Sequence, residues 1–370
     1  MAVPPLRSLF PTLPFLVQMV RFAPPAPFRT LLRTTGYNFR PPRPVPFTPA
    51  IRHRQEALLA HRVAGPHQRA TLLRETRPGP IPTIVLGGFV PDATEAVFLL
   101  RGTLLRAGSL YCFNYPRRGF SNDLLCAQLS DLVDELNLLH GRPPIIFAIS
   151  YGAGLLMEWL RRTRGDGNPP GLRGLVLVSP VACVEDLLSA VDAKPGTLLG
   201  RAIKPYVEPG AIVDAKLVEK SRAIFQKMFE AGAQNKAVLG AILSRGELAQ
   251  LCSAVLGTIR EIDFQGACER IQSLRQLAAP AADASPLASV PTLILYAEKE
   301  GAVLAEHSPT RLALANTPRT WFPQGECRLI TNRCGSPVQH ASLIFHYSDY
   351  QPPIAAFYHR LKSGKAREAA

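Results

Sequence analysis

From residue 82 onward, short apolar runs alternate with longer amphipathic stretches. Residues 83–86, 110–115, 145–149, 174–178 and 292–296 are brief runs dominated by aliphatic, β-branched and aromatic side chains. Runs of that length are too short for ordinary helices and read as strands buried on both faces. Between them, residues 93–107 place Ala96, Val97, Leu100, Leu104 and Leu105 on one helical face, and residues 123–140 predict a second helix. Leu155, Leu156, Trp159 and Leu160 predict a third. Strands alternating with helices make this an α/β chain, with a parallel sheet, right-handed crossovers and helices on both faces. Ligands gather at the carboxyl ends of such strands, so the loops after Leu86, Ile149 and Tyr296 are expected to meet at one rim.

The alternation breaks between residues 181 and 286. That stretch is helical in texture, over residues 217–229, 235–245 and 246–260, and it lies between two strands of one sheet. It therefore reads as an insertion over the rim. Beyond it come a strand at 292–296, a short helix at 311–315, a strand near 319–322, and a last helix starting near Ala341 that Pro352-Pro353 is expected to break or restart. Upstream, residues 1–50 carry many prolines and no sustained period, which predicts an extended arm. A short helix at 55–63 and a strand at 70–75 follow. The expected organisation is an arm over 1–69, a core over 70–180, a helical insertion over 181–288, and the rest of the core over 289–370.

Candidate chemistry starts where the 145–149 strand ends. Ser150 is followed by Tyr151-Gly152-Ala153-Gly154, and the chain passes directly into the amphipathic stretch. A serine on a tight strand-to-helix turn stands clear of the sheet. The backbone N–H after it lies at a helix N-terminus, free to meet negative charge. Small residues at Ala148, Gly152 and Ala153 let strand and helix approach without Cβ clashes. A serine hydroxyl becomes a strong nucleophile only when a base takes its proton and a third group orients that base. Downstream stand Glu300, just after the strand ending at Tyr296, and His340, in Val338-Gln339-His340-Ala341-Ser342-Leu343. Glu298, Glu185 and Asp186 are rivals for the acid, and His346 for the base. The alternative roles are structural: a helix-capping hydroxyl for Ser150 and a solvated loop carboxylate for Glu300.

Taken together, these segments resemble the α/β-hydrolase family over about residues 83–361. Residues 148–152 match the G-x-S-x-G turn with Ala148 in the place of its first glycine, and the order serine, acid, histidine is the family's own. Glu298-Lys299-Glu300-Gly301 resembles the acid turn, with glutamate where aspartate is more frequent. His340-Ala341-Ser342 resembles the histidine turn, with Gln339 where glycine is common. Gly87-Gly88-Phe89-Val90-Pro91 resembles the His-Gly-Phe-x-Pro loop, with Gly87 in place of the histidine. Tyr115-Pro116-Arg117-Arg118-Gly119-Phe120-Ser121 looks like the family's Asp-x-Arg-Gly-x-Gly-x-Ser loop and reads as structural.

The resemblance implies a mostly parallel sheet flanked by helices, with 181–288 as a helical cap. It also implies a serine hydrolase acting on a small-molecule acyl ester without cofactor or metal. Ser150 would be the nucleophile, His340 the base and Glu300 the acid, with the Phe89 and Tyr151 N–H groups as the oxyanion hole. Carboxylesterases and monoacylglycerol-lipase- or lysophospholipase-like enzymes are nearest in texture. Two other readings stay open. One is an acyltransferase using the same triad. The other is a hydrolase-fold protein that binds a ligand or partner without catalysis, for which the departures at Gly87, Ala148 and Gln339 leave room.

Composition narrows the setting. With 370 residues, 47% apolar and 19% charged, the chain suits a globular protein with a large core. No run of about 18 uncharged apolar residues predicts a membrane-spanning helix. Residues 9–20 are interrupted by Pro11 and Pro14 and lead to no small-x-small cleavage site, so a secretory signal is not expected. Seven scattered cysteines without a C-x-x-C pair suit a reducing, cytoplasmic setting and neither a disulfide framework nor a zinc site. Of the formal charge of +14, residues 1–80 supply +10, from twelve arginines against Glu56 and Glu75. The arm is expected to wrap the domain in solvent, or else to touch an anionic membrane surface. Nucleic acid is not expected, because no recognition motif accompanies the charge. Nor does the glycine loop after residue 86 match a phosphate-cradling motif.

Overall fold

The computed structural model describes residues 44–165, 171–188, 195–208, 213–232, 239, 243, 245–279, 285–332 and 335–363. Residues 44–234 and 254–370 make one compact unit, built on a single eight-stranded sheet. The strands are β1 (Val45–Pro46), β2 (Thr71–Glu75), β3 (Thr83–Leu86), β4 (Leu110–Asn114), β5 (Ile145–Ile149), β6 (Gly174–Val178), β7 (Thr292–Ala297) and β8 (Gly325–Ile330). Their spatial order is β1-β2-β4-β3-β5-β6-β7-β8. β2 runs antiparallel to β1 and β4, and every other pair is parallel. Every residue of β3, β5, β6 and β7 is buried, which is why these strands read as unbroken apolar runs.

Alternate residues of these strands feed two cores. Ile84, Leu86, Ile146, Ala148, Leu175 and Leu177 share one core with Leu129, Leu132, Leu156 and Trp159. Val85, Phe147, Ile149 and Val176 join Val97, Leu100, Leu104, Ile354 and Phe357 in the other. The strand order reverses at β3, whose neighbours are β4 on one side and β5 on the other. A crevice therefore opens at the carboxyl ends of β3 and β5.

The helices are α1 (His53–Ala60), α2 (Ala93–Ala96), α3 (Arg101–Leu104), α4 (Asn122–Asp134), α5 (Tyr151–Gly165), α6 (Leu198–Val207), α7 (Ala215–Gly232), α8 (Arg245–Glu261), α9 (Phe264–Gln272), α10 (Pro309–Asn316), α11 (Pro318–Trp321) and α12 (Tyr347–Lys362). Four of them, α6 to α9, lie between β6 and β7. The first part of α8 falls within residues 235–253, which group apart from the sheet-bearing unit. The helix expected over 235–245 lies almost entirely outside the described residues. No helix among the described residues is long and apolar enough to cross a membrane.

Five expectations shift. The helix expected over 93–107 is two short helices, α2 and α3. Val97, Leu99 and Leu100 are all buried, and one straight helix would turn Leu99 about 200° away from Val97. The helix expected to reach residue 140 stops at Asp134 and widens into a π-turn over Glu135–Leu139. There the Asn137 side-chain amide donates to the Val133 carbonyl (2.9 Å) and wedges the ladder open. The strand expected near 319–322 is instead the helical turn α11, started by Pro318 at its first position, and the strand follows at Gly325. The last helix begins at Tyr347 rather than near Ala341, because Ala341 is left-handed (φ +48°), a conformation no α-helix contains. It runs through Pro352 and Pro353 without a break, with the Pro352 ring exposed.

Of the expected arm over 1–69, residues 1–43 lie outside the described residues. The rest joins the sheet-bearing unit. β1 pairs with β2, and the N-terminus of α1 is tied to α4 through Asp131, whose carboxylate accepts from Gln55 N–H (3.1 Å).

Close backbone approach sets the position of α5. A Cβ at Gly154 would collide with the Val181 carbonyl oxygen and come within 3.0 Å of Ala182 Cα. In an exposed helix interior, glycine to alanine stabilises by about 1 kcal/mol. Here Gly154→Ala is expected to lower the midpoint of thermal unfolding instead, and a raised midpoint would show that the helix is not pinned there.

Candidate active site

Ser150 ends β5 in a left-handed conformation (φ +52°), unusual for a residue with a side chain and costing roughly 1–2 kcal/mol. The neighbouring backbone holds it there. Ser150 N–H donates to Val178 O (2.8 Å), and Ser150 O accepts from Ala153 N–H (2.9 Å) and Val181 N–H (3.1 Å). Gly152 packs against the end of β3, where a Cβ would strike the Gly87 carbonyl oxygen and lie 2.7 Å from that of Leu86. The methyl of Ala148 is buried in the core and leaves the turn intact.

His340 Nε2 lies 2.9 Å from Ser150 Oγ, and His340 Nδ1 lies 2.5 Å from Glu300 Oε2. An ionised carboxylate only accepts hydrogen bonds, so the neutral imidazole carries its proton on Nδ1 and turns Nε2 toward the serine hydroxyl as an acceptor. All three side chains are buried or nearly so. Burial pushes the Glu300 carboxyl up. The charge and hydrogen bond of His340, the Ser179 hydroxyl and the Ala297 N–H together outweigh it and hold the group below the ordinary glutamate range. An arrangement of this kind can move the serine proton onto the imidazole while the carboxylate stabilises the cation that forms.

The rival residues are engaged elsewhere. Glu298 Oε1 accepts from Val338 N–H (2.8 Å) and Asn332 N–H (3.2 Å), bracing the segment that leads to His340. Asp186 is buried and accepts from Ala182 N–H, Cys183 N–H, Thr310 N–H and the Ser308 hydroxyl. Glu185 is exposed. His346 is buried between Ser342 (Nδ1 to Oγ, 2.8 Å) and the Ser336 carbonyl (3.1 Å from Nε2), just ahead of α12.

The two backbone N–H groups expected to meet an oxyanion belong to the loops flanking the crevice. Tyr151 is the first residue of α5, where an N–H has no intrahelical acceptor. Phe89 follows the loop that passes Ser150: a Cβ on Gly88 would sit 3.5 Å from the Ser150 Cβ. The Phe89 and Tyr151 rings stack at 4.3 Å with 8° between their planes, fixing the two residues against each other. Beside Phe89 lies a cavity of about 50 Å³ whose walls include Val90, Tyr206, Val218, Phe225, Ile259 and Ile271. Among the described residues, no group of three or more His, Cys, Asp or Glu side chains could hold a metal ion.

Sequence reasoning missed Ser179. Its hydroxyl donates to Glu300 Oε1 (2.8 Å) and accepts from Ala341 N–H (3.2 Å), so it links the acid to the backbone beside His340. Ser179 is left-handed too (φ +46°). The only available signal was its place directly after the buried strand β6, at the same rim. Arg270 was also missed: fully buried in α9, it donates to the Phe89 carbonyl (2.9 Å). A lone arginine in a helical insertion carries no sequence signal for such a contact.

The lowered Glu300 pKa has a definite sign in stability. The folded chain binds this proton less readily than the unfolded chain, so the carboxylate's contribution is complete above the unfolded value of about 4.3 and is lost as pH falls through the lower folded value. Urea unfolding between pH 6 and 3 is therefore expected to show a steeper acid loss for the wild type than for Glu300→Gln. Parallel profiles would contradict the ionised pairing.

Neither protein-family models nor curated proteins give a match to this sequence. Solved structures do. An esterase from Exiguobacterium antarcticum matches with a TM-score of 0.52 at 13% identity, covering 78% of this chain and 96% of that one. An epoxide hydrolase from Bacillus megaterium matches at 0.53 and 9%, covering 79% and 96%. A serine hydrolase from Cycloclasticus zankles matches at 0.51 and 12%, covering 79% and 95%. At these identities the likeness is one of architecture, and it spans nearly the whole of each of those chains. Sheet order, the left-handed serine at the end of β5, the inserted helices and these matches agree: the chain has the α/β-hydrolase fold.

Proposed function

We propose that the protein is a serine hydrolase that cleaves small acyl esters through an acyl-enzyme intermediate. The observation that carries this reading is the continuous hydrogen-bonded chain Ser150–His340–Glu300 at the crevice between β3 and β5. As Ser150 Oγ attacks the ester carbonyl carbon, its proton passes to His340 Nε2, and Glu300 holds the resulting imidazolium. The former carbonyl oxygen takes the negative charge and is met by the N–H groups of Phe89 and Tyr151. Collapse breaks the bond to the leaving alcohol, whose oxygen receives the proton from Nε2, and the acyl group remains on Ser150. Water then repeats the sequence, giving up a proton to His340 and releasing the carboxylic acid and free serine.

The inserted helices within 181–288 serve as a cap in this reading. Helices α6, α7 and α9 supply most of the apolar wall beside Phe89. Such a wall excludes water and favours an apolar acyl or alcohol group.

Hydrolysis of p-nitrophenyl acetate, butyrate and laurate tests both parts. The apolar wall is expected to make butyrate a better substrate than acetate, and Ser150→Ala or His340→Ala is expected to lower kcat by about 10⁴-fold or more. Phe225→Ala, which removes a ring from the cavity wall, is expected to shift preference toward the longer ester. Undiminished turnover in Ser150→Ala would overturn the mechanism, and an unchanged chain-length order in Phe225→Ala would overturn the cavity's role.

A further inference from the structure

The loop that brings Phe89 to Ser150 has no side chain of its own to hold it at its first two positions. At Gly87 a Cβ would be tightly placed, 3.0 Å from Ala93 N and 3.3 Å from Pro91 O. The loop is gripped instead through its carbonyl oxygens. The Tyr115 hydroxyl donates to Gly87 O (2.8 Å), and Arg270 Nη1 donates to Phe89 O (2.9 Å). Arg270 Nη2 donates to Pro116 O (2.7 Å), joining this loop to the one after β4. Its guanidinium also lies over the rings of Tyr115 (5.5 Å) and Phe120 (6.0 Å).

α9 is anchored so that Arg270 arrives in register. Its cap residue Asp263 accepts from Gly266 N–H (2.6 Å), and Asp263 N–H donates to Arg117 O (3.0 Å). A Cβ on Gly266 would collide with that same Arg117 oxygen. Glu269 accepts from Phe120 N–H (2.7 Å) and from the Gln68 amide (2.7 Å).

The charge of Arg270 is unusual. It is 3% exposed, and among the described residues its hydrogen bonds run to carbonyls and to no carboxylate. The nearby acid Asp92 is taken by Arg117, which binds both of its oxygens (2.9 and 2.5 Å). Burial pushes the Arg270 pKa down, and the field of Asp92 opposes it only in part. A buried cation without a bonded anion is destabilising in the resting protein.

We propose that Arg270 is a positioning residue for the ester-hydrolysing site. It fixes the Gly87–Phe89 loop so that the Phe89 N–H faces the oxyanion, and it places a positive charge next to that loop. This rests on the function proposed above. The inserted helices thereby do more than cover the site, because one of them completes the geometry of the oxyanion loop.

The test compares wild type, Arg270→Met, Arg270→Lys and Tyr115→Phe in three measurements: p-nitrophenyl ester kinetics, inhibition by a trifluoromethyl ketone, and thermal unfolding. Deleting a direct oxyanion donor lowers kcat by about 10²–10³-fold. Arg270→Met, acting one step removed, is expected to lower kcat by about 10- to 100-fold, with KM within about threefold. Ketone affinity is expected to fall in step with kcat/KM, because the ketone adduct carries the oxyanion. Arg270→Lys keeps the charge but not the paired donors and is expected to fall between the two.

A folded Arg270→Met with kcat within twofold of wild type, or with its loss confined to KM, would overturn the proposal. If Arg270→Met does not fold, Arg270→Lys and Tyr115→Phe decide by the same criterion: reduced kcat with parallel loss of ketone affinity supports it, and unchanged kcat overturns it. A wild type that neither turns over esters nor binds the ketone would instead remove the proposed function, and this inference with it.

Discussion

The site depends on how closely two backbones approach at the ends of β3 and β5. Gly152, in the first turn of α5, packs against the carbonyl oxygens of Leu86 and Gly87, at a distance no side chain could share. That contact forces the chain to turn sharply at Ser150 and leaves the residue left-handed. It also brings the loop after β3 alongside the serine and aims the start of α5 at the same space. Parallel strands with their carboxyl ends level make such a meeting geometrically natural, and glycine makes it sterically possible.

Around that turn the molecule stores strain and satisfies polar groups together. Ser150, Ser179 and Ala341 all hold positive φ, and all three lie where the loops after β5, β6 and β8 converge. Ser179 relates two of these loops to the acid, since its hydroxyl serves Glu300 and the Ala341 N–H at once. Lys299 and Gln339 form a parallel bridge, and Glu298 accepts N–H groups from the same segment. The carboxylate and imidazole are therefore set at fixed separation by backbone on both sides, which keeps Nε2 aimed at the serine hydroxyl while the carboxylate stabilises the imidazolium that forms.

Much of this was legible in the sequence, for identifiable reasons. Strands buried on both faces leave continuous apolar runs, so β3, β5, β6 and β7 stood out. Ser150 was marked by the small residues around it, Glu300 by its place after the strand ending at Tyr296, and His340 by the resemblance of its turn to the family's histidine turn. Helices broken by local packing were harder to read. Nothing in residues 93–107 signals that Val97, Leu99 and Leu100 must all be buried, and that requirement splits the helix. Pro318 was a start signal that the apolar Trp321-Phe322 pair obscured. Ser179 and Arg270 were invisible for a different reason: each acts through contacts to residues more than 120 positions away, and such pairing follows only from the folded sheet and the inserted helices.

The central claim is that Ser150 is an activated nucleophile, and covalent labelling tests it most directly. The purified protein would be treated with a fluorophosphonate and the adduct mapped by mass spectrometry, with Ser150→Ala alongside. A single adduct on Ser150, absent from the variant and slowed at least tenfold in His340→Ala, is the result this account predicts. An unlabelled Ser150 in folded protein, under conditions where a small fluorophosphonate reaches the crevice, would contradict it.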